Sequence, residues 1–213
     1  MYRLFTKVDD FKLHIKEESK SFRRELGVGG EGISYLGYNG KTYKVFYNLS
    51  REDYRRIITT NDIDLEHFCF PEQMYIVSNR LAGYRTKYVK GDIMLTLDSL
   101  LMGDNPGELD METLCRAYDE MLADVEALSK KQILMYDLAG NLLYDGHSFY
   151  AIDTCDYRYA KSCPEEEVLD ANIRMLDDAV QSELDFYYEG IGIDTPQFKE
   201  EYRKYKNENK KRY

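Results

Sequence analysis

The 213-residue chain has no tryptophan, four prolines, four cysteines and three histidines. Cys69, Cys115, Cys155 and Cys163 form no C-x-x-C pair, and His14, His67 and His147 are scattered, which speaks against a structural zinc site. Cysteines used this sparingly and without pairing suit a reducing cytoplasm. No apolar run approaches the ~18 residues that a membrane span needs. The acidic pair Asp9-Asp10 interrupts the first stretch, so no signal peptide is read there. Net positive charge is also lacking. At a formal −10, the chain has no general surface for neutralising nucleic-acid phosphates. Internal repeats and low-complexity blocks are absent as well.

What is present suits a folded protein. Hydrophobic residues make up 43% and charged residues 32%, and a chain of this length buries roughly 70% of its unfolded surface. Twenty tyrosines carry most of the aromatic content and suit half-buried surfaces and interfaces. The basic residues Lys204, Lys206, Lys210, Lys211 and Arg212 crowd the C-terminal end, where a solvated tail or a docking arm is expected.

The first half reads as strands and the second as helices, an α+β order. Residues 22–46 alternate as strand, Gly-rich turn, strand, Asn39-Gly40 turn and strand. An Asn-Gly pair predicts a two-residue type I′ hairpin, because both central residues then need positive φ. Alternation places Thr42, Lys44 and Phe46 on one face and Tyr43 and Val45 on the other. A short helix is expected over 50–58, capped by Ser50 with Glu52 and Asp53 in its first turn. Strands 74–77 and 84–89 follow, joined through 79–83, which completes a five-stranded antiparallel sheet with one helix. After Gly91 the spacing becomes helical. Met111, Leu114, Cys115, Tyr118, Met121, Leu122, Val125 and Leu128 form one apolar stripe behind Asp110 as cap. A second stripe runs through Val168, Leu169, Asn172, Ile173, Leu176, Val180 and Leu184, behind Pro164.

Three features carry chemistry. Gly27, Gly29, Gly30 and Gly32 make a G-x-G-x-x-G loop whose amides can approach phosphate oxygens without a Cβ in the way. It joins two strands, whereas the dinucleotide fingerprint needs a strand before it and a helix after it. Lys44 follows on the strand after the hairpin, where its amine can reach phosphates as a point charge. The stretch Met135-Tyr136-Asp137-Leu138-Ala139-Gly140-Asn141 then precedes a short hairpin that ends in Asp153. An aspartate, an asparagine and a second aspartate offer the few oxygen ligands that magnesium takes beside phosphate oxygens. Ordinary turn acids in a surface hairpin would explain Asp145-Gly146 but not the bracketing by Asp137, Asn141 and Asp153.

In this order the features resemble the protein-kinase-like superfamily over residues 22–185. The resemblance implies a bilobal fold: an extension over 1–21, an N-lobe over 22–90 and a reduced helical C-lobe over 91–213 that ends in the basic tail. It implies ATP and magnesium (Mg2+) as cofactors. Asp137 would accept the proton of the substrate hydroxyl, and Asn141 and Asp153 would hold magnesium. Lys44 would pair with a helix acid, Glu52 or Asp53. Leu26 and Thr42 would roof the adenine, and backbone groups of Lys87, Tyr88 and Val89 would form the hinge. The reduced C-lobe is similar to those of compact bacterial kinases and kinase-type effectors, whose peptide platform is cut down or supplied by a partner. The chain departs from the pattern at several points. Met135-Tyr136 replace His-Arg, Asn141 follows Asp137 by four residues instead of five, Thr154-Cys155 stand for Phe-Gly, and Ser34 stands for a valine. Cys163-Pro164-Glu165 faintly matches the Ala-Pro-Glu that closes an activation segment. The expectation is a phosphotransferase acting on a protein hydroxyl. A pseudokinase that binds nucleotide or a regulatory protein is the alternative, and a small-molecule kinase of the aminoglycoside or choline type is a third.

Overall fold

The computed structural model describes residues 1–51, 53–90, 92–93 and 110–210. They form two compact units, residues 1–64 with 69–89, and residues 65–68 with the chain from Lys90 onward. The architecture is mixed α and β. Among the described residues no helix is long and apolar enough to cross a membrane.

The first unit contains strand β1 (Tyr2–Phe5), helix α1 (Val8–Glu18) and strands β2 (Phe22–Val28), β3 (Gly32–Gly37), β4 (Lys41–Ser50), β5 (Gln73–Val77) and β6 (Arg80–Lys87). They build one six-stranded sheet in the order β1-β5-β6-β4-β3-β2. The expected five strands become six because β1 adds itself parallel to β5, with Tyr2 opposite Met74 and Phe5 opposite Val77. A four-residue strand whose partner lies 72 positions away, as Tyr2 does from Met74, leaves no local hairpin signal.

The helix of this unit also differs from expectation. Ser50 ends β4, and Asp53 caps a three-residue 3-10 turn over Tyr54–Arg56. Ile57, at the end of that turn, has extended backbone with φ −71° and ψ 129°, so no helix continues through the buried pair Ile57-Ile58. The α-helix is α1, inside the stretch expected as an extension. Phe11 and Ile15, four residues apart, are buried with Tyr43, Tyr75, Val77 and Ala82.

Two hairpins are tighter or looser than their sequence signals. Between β3 and β4 only Gly40 has positive φ, and the Gly40 N–H donates to Gly37 O at 3.1 Å. Asn39 instead donates to Glu18 O and the Tyr43 hydroxyl, so a three-residue loop replaces the two-residue turn. Between β5 and β6 the turn is Ser78-Asn79, both with positive φ, and Gly83 lies inside β6. A Cβ at Gly83 would sit 2.3 Å from the Lys44 carbonyl oxygen, so this glycine serves strand contact and not the turn.

Glu18, at the end of α1, ties helix to sheet. Its carboxylate accepts bonds from Arg85 and from the Tyr75 hydroxyl at 3.1 Å, and pairs with His14 at 2.7 Å. Burial pushes this carboxyl up, yet the Arg85 guanidinium, Tyr75 and His14 together hold it below its ordinary value.

The second unit contains β7 (Asp92–Ile93), α2 (Met111–Lys130), β8 (Ile133–Leu134), β9 (Leu142–Tyr144), β10 (Phe149–Ala151), β11 (Arg158–Tyr159), α3 (Glu165–Ile191) and α4 (Phe198–Lys210). Asp110 caps α2 by accepting from the Glu112 N–H and the Thr113 hydroxyl, and the buried stripe from Leu114 to Leu128 follows the expected face. The basic C-terminal residues are helical through Lys210. Lys206 pairs with Asp119 of α2 and Lys204 with Glu201; Lys211 and Arg212 lie outside the described residues. Leu65–Phe68 is anchored here through His67, whose N–H and Nδ1 both reach Asp124 at 2.9 Å.

The Glu18 cluster has a stated acid dependence. Because the folded carboxyl lies below its ordinary value near 4.5, its contribution is complete above that pH and is lost as pH falls through the folded value. Glu18→Gln is expected to cost about 2–3 kcal/mol at pH 7 in urea unfolding. The difference from wild type should shrink as the pH is lowered below 4. Equal stabilities at pH 7 would show that the cluster contributes nothing.

Candidate functional site

In the first unit, the glycine loop is the turn between β2 and β3, closed by the Gly29 N–H donating to Gly32 O at 2.9 Å. Gly32 is demanded by packing, since a Cβ there would lie 2.3 Å from the Val45 carbonyl oxygen. Its neighbours differ. A Cβ at Gly27 or Gly30 would meet nothing within 4 Å, one at Gly29 would meet only Gly32 O at 3.9 Å, and none of the three has positive φ. The fold itself gives no reason for glycine at these three positions. What glycine supplies there is backbone open to an outside group.

Lys44 lies on β4 between Ser34 of β3 and Tyr84 of β6. Tyr43 and Val45 face α1, so alternation turns Lys44 to the other face with Thr42 and Tyr84. Thr42 stands between Leu36 and Thr86. Leu26 occupies a bulge in β2, the extra residue between the Glu25 and Gly27 pairings, and is 36% exposed. Lys87 ends β6, and the Tyr88 hydroxyl accepts from Arg24 at 3.2 Å; Val89 is the last residue of the unit. Glu52 lies outside the described residues. Asp53 pairs with Arg55 at 2.7 Å and Arg56 at 3.8 Å, where a strand-to-turn exit replaces the expected helix.

In the second unit, β8 pairs antiparallel with β11 and β9 with β10, which sets the chain after β8 beside the chain after β10. Asp137 follows β8 and has φ of 50°, and Asp153 follows β10 with φ of 54°. The left-handed region is uncommon outside glycine, although aspartate tolerates it better than most residues, and it clusters at functional positions. Asn141 links the two aspartates. Its Nδ2 donates to Asp137 O at 2.8 Å, and its carbonyl oxygen accepts from the N–H of Ile152, the residue before Asp153, at 2.9 Å. With Nδ2 so engaged, Oδ1 is the side-chain atom left for a cation.

The four-residue spacing from Asp137 to Asn141 is absorbed by a turn over residues 138–141. The Asn141 N–H donates to Leu138 O at 2.9 Å, and Gly140, with φ of 74°, takes the third position that requires positive φ. Where the resemblance puts His-Arg, Met135 is 1% exposed and Tyr136 is 42% exposed. Thr154 and Cys155 are both buried, at the start of a 3-10 turn over Thr154–Asp156. Among the described residues no group of three His, Cys, Asp or Glu side chains could hold a metal. Asp153 and Asn141 by themselves offer too few oxygens for magnesium, which would need phosphate oxygens and water to complete its shell.

Two residues that hold this loop escape a reading of catalytic motifs. Asn172 and Glu183 lie on the buried stripe of α3, at 0% and 5% exposure. The Asn172 amide accepts from the Met135 N–H at 2.8 Å and donates to Ile133 O and the Ser129 hydroxyl at 2.8 and 2.9 Å. Glu183 accepts from the Gly140 N–H at 3.2 Å. Their signal in the sequence is polarity at core positions of an amphipathic helix, which calls for buried hydrogen-bond partners.

No protein-family model matches the chain. No curated protein sequence matches it either. Among solved structures the chain is similar to one described as the crystal structure of the BubR1 kinase domain, with 16% identity and a TM-score of 0.46 over 68% of this chain. The match spans 49% of that chain, about half its length.

Burial pushes the Glu183 carboxyl above its ordinary value near 4.5, against the opposing pull of the Gly140 N–H. Ionising Glu183 therefore costs the folded chain more than the unfolded one, and this cost is absent below about pH 4.5 and grows as pH rises through the folded value. Glu183→Gln should therefore raise the melting temperature at pH 8 by roughly 2–4 °C for each kcal/mol relieved. The gain should vanish near pH 4. A gain of the same size at every pH would show that ionisation of Glu183 plays no part.

Proposed function

We propose that the chain is a kinase-like phosphotransferase that uses ATP and magnesium to phosphorylate a hydroxyl group, the acceptor being a protein. The observation that carries this reading is the linkage of Asp137 and Asp153, both left-handed, through the side-chain and backbone bonds of Asn141. The glycines at 27, 29 and 30, which the sheet does not need, support it from the other unit.

In this reading the amides of the glycine loop and the amine of Lys44 bind and orient the phosphates, and Thr42 and Leu26 cover the base. Backbone groups of Lys87, Tyr88 and Val89 bond its edge. Asn141 and Asp153 hold magnesium, which supplies neutralisation of charge on the transferred phosphoryl group. Asp137 accepts the proton of the acceptor hydroxyl as its oxygen bonds to the terminal phosphorus and the bond to the diphosphate leaving group breaks. The contribution of the protein is positioning and preorganised charge. Lys44 and the glycines belong to one unit, and the three metal-loop residues belong to the other.

A second reading, nucleotide or partner binding without transfer, is favoured by the burial of Thr154 and Cys155 where the resemblance puts Phe-Gly. One experiment separates the two. Transfer of radiolabelled phosphate is measured beside thermal shifts with ATP, with and without magnesium. Asp153→Asn should retain the wild-type circular dichroism and lose transfer, together with the magnesium-dependent part of the shift. Asp137→Asn should keep the shift and lose roughly 10²–10⁴-fold in rate. A wild-type shift without transfer selects the binding module, and unchanged transfer in Asp153→Asn removes this residue from the mechanism.

A further inference from the structure

Strands β4 and β6 pair regularly from Lys41 opposite Lys87 to Val45 opposite Gly83, and resume only at Ser50 opposite Leu81. Residues 46–49 of β4 thus stand against Ala82 alone. A bulge of this size bends its strand away from the sheet. Beneath it, wholly inside the first unit, lies a cavity of about 470 Å³, lined by Phe11 and Lys12 of α1, Ile33 of β3, Val45 and Leu49 of β4, and Ala82. Its floor is apolar, since Phe11 and Ala82 belong to the buried core and Val45 and Leu49 pack against it. Lys12 is an exposed cation at its lining and has no carboxylate partner among the described residues.

A concave site of this size with an apolar floor and one charged group is the form of a small-ligand pocket. We propose that this cavity binds a medium-chain acyl carboxylate, the acyl chain between α1 and the β4 bulge and the carboxylate on Lys12. The lysine selects the sign of the head group, since the chain at large carries −10 and disfavours anions elsewhere. The occupant also braces the glycine loop. The Tyr47 N–H, in the bulge, donates to Glu31 O at 2.9 Å, and Phe46 pairs with Gly32. Filling the cavity fixes the strand from which that loop is held. Binding itself does not depend on the phosphotransferase reading.

The test is calorimetry of the full chain with decanoate, decanol and decylamine, followed by amide hydrogen exchange. Decanoate should bind with a stoichiometry of one, and decylamine should bind more weakly than decanol. Lys12→Gln, at an exposed position, should weaken decanoate roughly fivefold and leave decanol unchanged. Ile33→Trp should obstruct the cavity and weaken both while keeping the circular dichroism spectrum. Bound decanoate should slow exchange at Gly29 and Tyr47. Absence of saturable binding overturns the proposal, as does equal weakening of decanoate and decanol by Lys12→Gln. Full binding by a folded Ile33→Trp overturns it too. If Ile33→Trp does not fold, the Lys12→Gln comparison decides alone. Binding without slowed exchange rejects the bracing of the loop.

Discussion

A single buried amide organises the second unit. Asn172 reaches from α3 to the N–H of Met135, the carbonyl of Ile133 and the hydroxyl of Ser129, and so joins the end of α2, strand β8 and the loop that carries Asp137. Each partner is a buried polar group that would cost about 1–3 kcal/mol if left unsatisfied, which makes the arrangement all or none. With the start of the loop held by Asn172 and its turn held by Glu183, the left-handed backbone at Asp137 is over-determined by its surroundings. That is the condition under which such conformations persist.

The first unit divides its work between the two faces of one sheet. On one face, Tyr43, Tyr75 and Val77 pack against α1 and the Glu18 cluster locks the helix in place. Lys44 and Thr42 occupy the other face, and the glycine loop opens at the end of β2 and β3. The same strand, β4, then supplies the bulge that leaves the cavity under α1. A helix between β1 and β2, from residues 8–18, thus takes the packing role that the sequence pattern assigned to residues 50–58.

Local signals were legible where the physics is local. Alternation in β4 gave the two faces correctly, the spacing from Leu114 to Leu128 gave the buried stripe of α2, and Asp110 was readable as its cap. Non-local pairing was not legible. β1 finds its partner across the chain, and Gly83 resembles a turn glycine although its role is close approach to Lys44 O. Asn39-Gly40 marked a hairpin, but the bonds from Asn39 to Glu18 and Tyr43, invisible in the local pattern, changed its loop. In the candidate site, the loop and hairpin that carry Asp137, Asn141 and Asp153 could be read from the residues themselves. The supports Asn172 and Glu183 could be suspected only as polar residues on an apolar stripe, and what they bond depends on the tertiary fold.

The central proposal is that the chain binds a magnesium-bound nucleotide. The most direct measurement is a titration of the isotope-labelled chain with magnesium and a non-hydrolysable ATP analogue, following amide resonances. The account predicts saturable shifts at Gly27, Gly29 and Gly30 and at Asn141 and Asp153, those at Asn141 and Asp153 needing magnesium. The absence of saturable shifts, or shifts at Asn141 and Asp153 without magnesium, would contradict it.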